Sequence, residues 1–532
     1  MPSPTPSIDP GKARIDQIEV LQTLEVTGEN EKSVWQLLRE HPRIILCTFL
    51  ANCGALLFGY DVLVQGAITA LPAFSIYYGS PFGETMILPA LWQGLWQAFN
   101  SMGIMVGASC NGALQDKFGR KYMFSVSGLI AAIGAVLTFI SGDMSTVGVR
   151  RGILLLGKFV IGVGMGIGMS TCQTYVAEIS PAKLRTFLLG LYPFLICVGQ
   201  MIAVSIVFAN VTDFTKMAFK IPFASQWAFS GLAVIATLVL PESPVHLVTK
   251  QKEEQARKAL QRLHGSGVDV TPLIQIIKTT IEHERTESFA VAEASYTECF
   301  KGTNLRRTRI VALLNTLQQL IGVSLVANST YFFIMAGMNP TQSLTINQIG
   351  VGLSMVGTLI SWFVMARFGR RVTILCGFAI AGIIFIAMGV AGFFPNNPKA
   401  LNFLGVSVLL TALTSNLSVG SAYPIVSAEI PSARLRAKAL GFGFLVNAFM
   451  SWAFNLTVPY MFNADQGNLG GKIGFVFAAT CVIGFALSWL EIPETRNISY
   501  AHIDYLFNKG TSTRNFKKEA RSVTEIIVDN DI

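Results

Sequence analysis

Long apolar runs separated by short polar ones fill this chain from Ile44 to Trp489. Each run holds roughly 20 residues, enough for an α-helix to cross a hydrocarbon core about 30 Å thick. The runs fall near 44–71, 91–113, 122–141, 151–173, 186–208, 225–241, 309–336, 346–366, 372–394, 400–426, 437–461 and 472–491. They predict twelve spanning helices and not a β-barrel, whose strands would alternate over short segments. The longest polar interruption, Glu242 to Arg309, divides them six and six. Within it, residues 253–263 carry apolar positions at helical spacing and read as a helix with a solvated charged face. The expected fold is an all-α membrane protein. Two six-helix bundles (44–241 and 309–491) are joined by a linker with short helices (242–308) and flanked by tails (1–43 and 492–532).

Composition agrees. Of 532 residues, 52% are hydrophobic and 13% charged, against about 25% charged in a soluble protein. Residues 1–40 are polar, so no secretory leader is expected and the first span inserts itself. Basic residues gather at alternate junctions: Lys117, Arg120 and Lys121; Lys183 and Arg185; Lys250 to Arg309; Arg367, Arg370 and Arg371; Arg434, Arg436 and Lys438. The positive-inside rule places these junctions and both termini in the cytoplasm. The net charge of +9 therefore reads as topology, with the lipid bilayer as partner and nucleic acid excluded. No CxxC pair occurs among the eight cysteines, which read as packing residues without metal or disulfide roles. All five histidines lie outside the spans, which argues against a histidine proton relay in the membrane.

An internal repeat is visible. Asp116-Lys-Phe-Gly-Arg-Lys121 returns as Ala366-Arg-Phe-Gly-Arg-Arg371, and Ala177-Glu-Ile-Ser-Pro-Ala-Lys-Leu-Arg185 returns as Ala428-Glu-Ile-Pro-Ser-Ala-Arg-Leu-Arg436. Two copies of one six-span unit imply a transporter with its solute site near the midplane between halves.

Asp61 is a lone carboxylate in the first span, which costs on the order of 3 kcal/mol to insert. At 1.5 Å per residue it lies about 26 Å up from the cytoplasmic end, and Lys158, descending in span 4, about 20 Å up. Lys158 is the only basic residue well inside any span. Intramembrane charges face the bundle interior and pair, so an Asp61–Lys158 pair is expected. It would break on protonation of Asp61 in a transport cycle, or stand as a fixed salt bridge in a facilitator. Gly162, Gly164, Gly166 and Gly168 lack a preceding strand and read as helix-packing positions, not a dinucleotide fingerprint.

Amides within spans are candidate solute ligands because they donate and accept together: Gln200, Gln318, Gln319, Asn328 and Asn447, with Ser324 beside them. Their competing role is interhelical hydrogen bonding. Asp116, Arg120, Glu178, Arg185, Arg370, Glu429 and Arg436 recur at matched junctions and suggest ion pairs locking the cytoplasmic side.

These motifs resemble the sugar porter family of the major facilitator superfamily over roughly Ile44 to Phe507. The resemblance rests on Gly59-Tyr-Asp61, the two junction repeats, Pro241-Glu-Ser-Pro244, Gln318-Gln319-x-x-Gly322 and Pro493-Glu-Thr-Arg496. Within the family the chain is most similar to fungal-type α-glucoside (maltose) permeases, through Ala70-Leu-Pro-Ala-Phe74, Ile221-Pro-Phe-Ala-Ser-Gln-Trp227 and Cys299-Phe-Lys-Gly-Thr-Asn-Leu-Arg-Arg307. It implies rocker-switch alternating access and proton symport through Asp61, with no cofactor beyond the proton gradient. It also implies sugar contacts at Gln200, Gln318 and Gln319, and a cytoplasmic lock that includes Arg367. Departures are Lys158 for an arginine, Ala366 for the second-half loop aspartate and Val245 where an arginine usually follows Pro244; in the solute cavity Ser324 replaces an asparagine, Asn328-Ser329 paired tyrosines, and Pro424 an aromatic, with Tyr423 adjacent.

The leading expectation is a monomeric, non-enzymatic, proton-coupled plasma-membrane importer of a sugar. Against it stands an exporter of a small oxygenated metabolite on the same fold. A non-transporting sensor would carry a long signalling tail, where about 40 residues follow span 12 here.

Overall fold

A computed structural model of the protein describes residues 34–265, 269–279, 281, 296–395, 397–432, 435–496, 498, 500–516 and 519. Among them, eleven helices are long and apolar enough to cross a membrane. The twelfth, span 2 (Ala90–Phe118), has 29 residues but buries Gln93, Asn100, Asn111 and Gln115, which dilute its apolar character. It packs against span 4 (Val147–Ile179) of its own half and span 11 (Arg436–Phe462) of the other.

In the first half, span 1 also packs on span 5 (Ala182–Ala209), and span 3 (Arg120–Ser141) on spans 4 and 6. In the second, span 7 packs on span 11, and span 9 (Arg370–Ala391) on spans 10 and 12 (Ile473–Glu491). Spans 2 with 11, and 5 with 8 (Pro340–Phe368), form the seams between halves. The linker and the charged junctions share one face, here the linker face. The opposite, hairpin face carries a two-stranded antiparallel hairpin, Ser80–Phe82 and Thr85–Ile87.

Several spans are broken where one continuous helix was expected. Span 1 consists of Pro42–Ala51 and Cys53–Ile68. Span 6 starts earlier, as Met217–Ala224, and resumes as Gln226–Val239. Span 7 starts seven residues before its expected start of 309, as Gly302–Leu320, and continues in two short pieces, Val323–Ala327 and Ser329–Met335. Its break follows from Gly322, whose φ of 92° is left-handed and ends the helix. Span 10 (Pro398–Ser415 and Ser421–Glu429) carries one π-helical turn at Asn416–Gly420. Hydropathy cannot register such breaks because apolar residues continue through them.

The seam between spans 2 and 4 uses Gly162 and Gly166 of the glycines singled out above, with Gly103 facing Gly162. A Cβ on Gly103 would sit 2.2 Å from the Phe159 carbonyl oxygen, and one on Gly162 2.3 Å from that of Asn100. The expected linker helix is present as Glu253–His264, burying Ala256, Ala259, Leu260 and Leu263.

Candidate functional site

Asp61 is fully buried and accepts hydrogen bonds from three helices. Lys158 Nζ donates to Oδ1 at 2.7 Å, Gln226 Nε2 to Oδ1 at 2.8 Å, and Asn100 Nδ2 to Oδ2 at 2.6 Å. Asn100 Nδ2 also reaches Gln65 Oε1 at 3.3 Å. Gly162 leaves room for this arrangement, since a Cβ there would lie 3.0 Å from Asn100 Oδ1. An ionised carboxylate in low dielectric needs charge and donors together, and spans 1, 2, 4 and 6 supply them. Toward the hairpin face, a cavity of about 10 Å³ is walled by Ile68, Phe74, Trp96, Leu154 and Phe223. These large apolar groups seal the pair from that side.

Sequence reasoning found the pair but missed Asn100, Gln226 and Gln65. Their only signal was an amide in an apolar run, which the solute-ligand candidates share.

The solute candidates separate into two sets. Asn447 Nδ2 donates to Gln318 Oε1 at 2.8 Å and to the Asn315 carbonyl at 3.2 Å, and Tyr423 is half-buried on span 10. On span 5 of the other half, Tyr192 is buried with its hydroxyl unpartnered, a residue the sequence reading overlooked. Gln200 is half-buried on span 5. The second set is already engaged elsewhere. Ser324 Oγ donates to Gln319 Oε1 at 2.8 Å within span 7. Asn328 Nδ2 donates to Gln97 Oε1 at 3.2 Å, and Gln97 Nε2 returns a bond to Asn328 Oδ1. Asn328 thus joins the two halves.

The charged junctions form two matched clusters. In the first half, Arg120 contacts Glu178 at 2.9 Å and Asp116 at 3.4 Å. Glu242 accepts from the Arg120 and Lys121 amides at 2.9 and 3.2 Å, and Ser243 Oγ donates to Glu178. In the second half, Arg370 contacts Glu429 at 3.0 Å, Glu494 accepts from the Arg370 and Arg371 amides at 3.0 and 3.2 Å, and Thr495 Oγ1 donates to Glu429 at 2.5 Å. Glu242 and Glu494 do this because spans 3 and 9 begin after Gly119 and Gly369, at φ 96° and 93°. Glycine offers no capping side chain, so a carboxylate from the segment after the sixth span of each half caps the helix.

Among the described residues, each ion pair named here lies within one half. Arg367 is exposed and contributes its carbonyl, which accepts from Arg496. The side chains of Arg185 and Arg436 lie outside the described residues. At this face His246 Nδ1 accepts from Arg120 Nη1 at 2.8 Å. Burial, and next the Arg120 charge, hold His246 below its ordinary pKa.

Among the described residues, the polar contacts named here between the halves lie toward the hairpin face. Leu88 N–H donates to Tyr331 Oη at 2.9 Å, Asn463 Nδ2 donates to the Leu88 carbonyl at 2.6 Å, and Ala90 N–H donates to Asp465 Oδ2 at 3.1 Å. Gln348 Nε2 donates to Ser205 Oγ at 3.2 Å.

Two paired six-helix halves, a buried ion pair and matched junction clusters define a secondary transporter of the major facilitator fold. A family profile described as "Sugar (and other) transporter" matches residues 46–507, and the chain belongs to that family. It is 34% identical to the MFS transporter fmqE of Aspergillus fumigatus, over 94% of both chains. It is 29% identical to the general alpha-glucoside permease of Saccharomyces cerevisiae, over 94% of this chain and 82% of that one. Among solved structures, the inward-open xylose transporter XylE from E. coli superposes with a TM-score of 0.72 at 20% identity, covering 87% of this chain and 99% of that one. The protein is accordingly a multi-pass membrane transporter.

Proposed function

We propose that this protein imports a sugar, of the α-glucoside class, together with a proton by alternating access. The single observation carrying the coupling is Asp61: a buried carboxylate held by one ammonium and two amides. Protonation of Asp61 cancels its attraction for Lys158 and frees spans 1 and 4 to move relative to each other. Deprotonation restores the pair. The proton gradient is the driving force, and no other cofactor enters.

The solute class is supported by the likeness to the alpha-glucoside permease and by the Gln318–Asn447 amide pair, which suits hydroxyl groups. Gln200, half-buried on span 5, completes this reading of the site. The linker face is cytoplasmic, the membrane is the plasma membrane, the chain works as a monomer, and it performs no enzymatic chemistry. Export of a small oxygenated metabolite is the second reading, favoured by Asn328-Ser329 and Pro424 standing where the resembled family carries aromatic residues.

Uptake of labelled glucose and maltose into transporter-null cells, with and without an uncoupler, tests this. Uncoupler-sensitive accumulation that Asp61→Asn abolishes is the expected result. No accumulation of any sugar overturns import. Gradient-driven accumulation by Asp61→Asn overturns coupling through this residue.

A further inference from the structure

Span 2 begins at Ala90 with Pro89 as its cap residue, and no side chain of its own segment caps it. Proline has no hydroxyl, amide or carboxylate to offer the free N–H groups of the first turn. The cap comes from the other half: the Ala90 N–H donates to Asp465 Oδ2 at 3.1 Å, from the loop between spans 11 and 12. Two contacts beside it hold the same stretch of chain. Tyr331 Oη accepts from the Leu88 N–H at 2.9 Å, and Asn463 Nδ2 donates to the Leu88 carbonyl at 2.6 Å. The second Asp465 oxygen, Oδ1, is buried without a partner. One turn further into span 2, a Cβ on Gly94 would lie 2.9 Å from the Leu456 carbonyl oxygen of span 11. The two halves thus meet backbone to backbone beneath the carboxylate.

We propose that Asp465 is a positioning residue of the transport cycle, latching the hairpin face shut by capping span 2 across the seam between halves. This rests on the alternating-access reading. Opening that face draws the loop away from span 2, leaving the helix start to water and the carboxylate without its N–H partner. A negative charge at the positive end of a helix favours the closed arrangement, so Asp465 biases the resting population toward closure. The other hydrogen bonds named here across the seam use neutral groups. Asp465 supplies the charged one.

The test uses Leu456→Cys as reporter in the full chain in membranes, labelled from the hairpin side with a membrane-impermeant maleimide. The protein without the reporter serves as background for native thiols. With Asp465→Ala, labelling is expected to quicken about fivefold, the population shift such a charge–helix contact supports. Asp465→Asn keeps an acceptor oxygen but loses the charge, and should fall between the two. Asp213→Ala, at a loop acid bonded to Thr215, should match the parent. Equal labelling of Asp465→Ala and parent, or equal acceleration by Asp213→Ala, overturns the latch. Should Asp465→Ala fail to reach the membrane, no acceleration in Asp465→Asn overturns it alone. Labelling needs no solute, so a mistaken sugar assignment leaves this outcome readable.

Discussion

Gln97 on span 2 and Asn328 on span 7 exchange a reciprocal pair of amide hydrogen bonds across the seam between halves. Each amide uses its donor and its acceptor on the other, which ties the two halves together at this depth. Replacing both by cysteine and joining them with a short bis-thiol reagent should arrest transport in the closed-rim state. The check is uptake before and after cleavage of the linker. Unchanged uptake after verified cross-linking would show that these residues need not part during the cycle.

The Asp61–Lys158 pair makes a stability prediction separable from transport. Lys158→Ala leaves a buried carboxylate with amide partners only, a loss expected at about 3–5 kcal/mol. Adding Asp61→Asn removes the uncompensated charge, so Asp61→Asn/Lys158→Met should regain most of that loss while remaining uncoupled. Thermal unfolding in detergent measures both. A double variant no more stable than Lys158→Ala would contradict the charge argument.

Asn100→Leu keeps bulk but deletes one donor to Asp61. Removing a partner from a buried charged group costs about 1–3 kcal/mol, and proton-driven accumulation should fall while surface expression persists. Asn100→Ser, which retains a small donor, should be milder.

Close helix approach predicts that Gly162→Ala is not benign. Its Cβ would sit 2.3 Å from the Asn100 carbonyl oxygen, so spans 2 and 4 must separate. Overpacking of this kind costs about 1–3 kcal/mol. Gly231→Ala, where nothing stands within 4 Å, should leave the melting temperature unchanged.

His246 gives a pH dependence at the linker face. Its Nδ1 accepts from Arg120, which requires the neutral ring, and its pKa lies below the ordinary 6.5. The unfolded chain therefore takes up this proton at a higher pH than the folded one. The stability the neutral ring contributes is complete above about 6.5 and is lost as pH falls from there toward the depressed folded value. Melting temperatures measured across that window should decline less steeply in His246→Gln than in the parent.

Much of this was legible before the fold was known. Apolar runs marked the twelve helices, eleven of them apolar enough to cross a membrane, because twenty-residue apolar runs have few alternatives in a chain this poor in charge. The repeated junctions exposed the two halves, and opposite charges at similar computed depth brought Asp61 to Lys158. What stayed hidden depends on rotation about helix axes. Asn100 and Gln226 face Asp61, while Gln97, three residues before Asn100, faces Asn328. Nothing in the order of residues separates those orientations. Glu242 and Glu494 were noticed only as parts of Pro-Glu motifs. Their capping role follows from Gly119 and Gly369, whose positive φ no hydropathy profile records.

The carboxylates that cap spans 3 and 9 come from each half's own trailing segment. If the halves move as proposed, each carries its own linker-face clasp with it, and the capping bonds named here stay intact. The preference for one facing state then resides at the opposite rim, in a handful of side chains. Evolution or engineering could retune turnover or direction by substituting there, while folding, solute recognition and charge pairing stay intact.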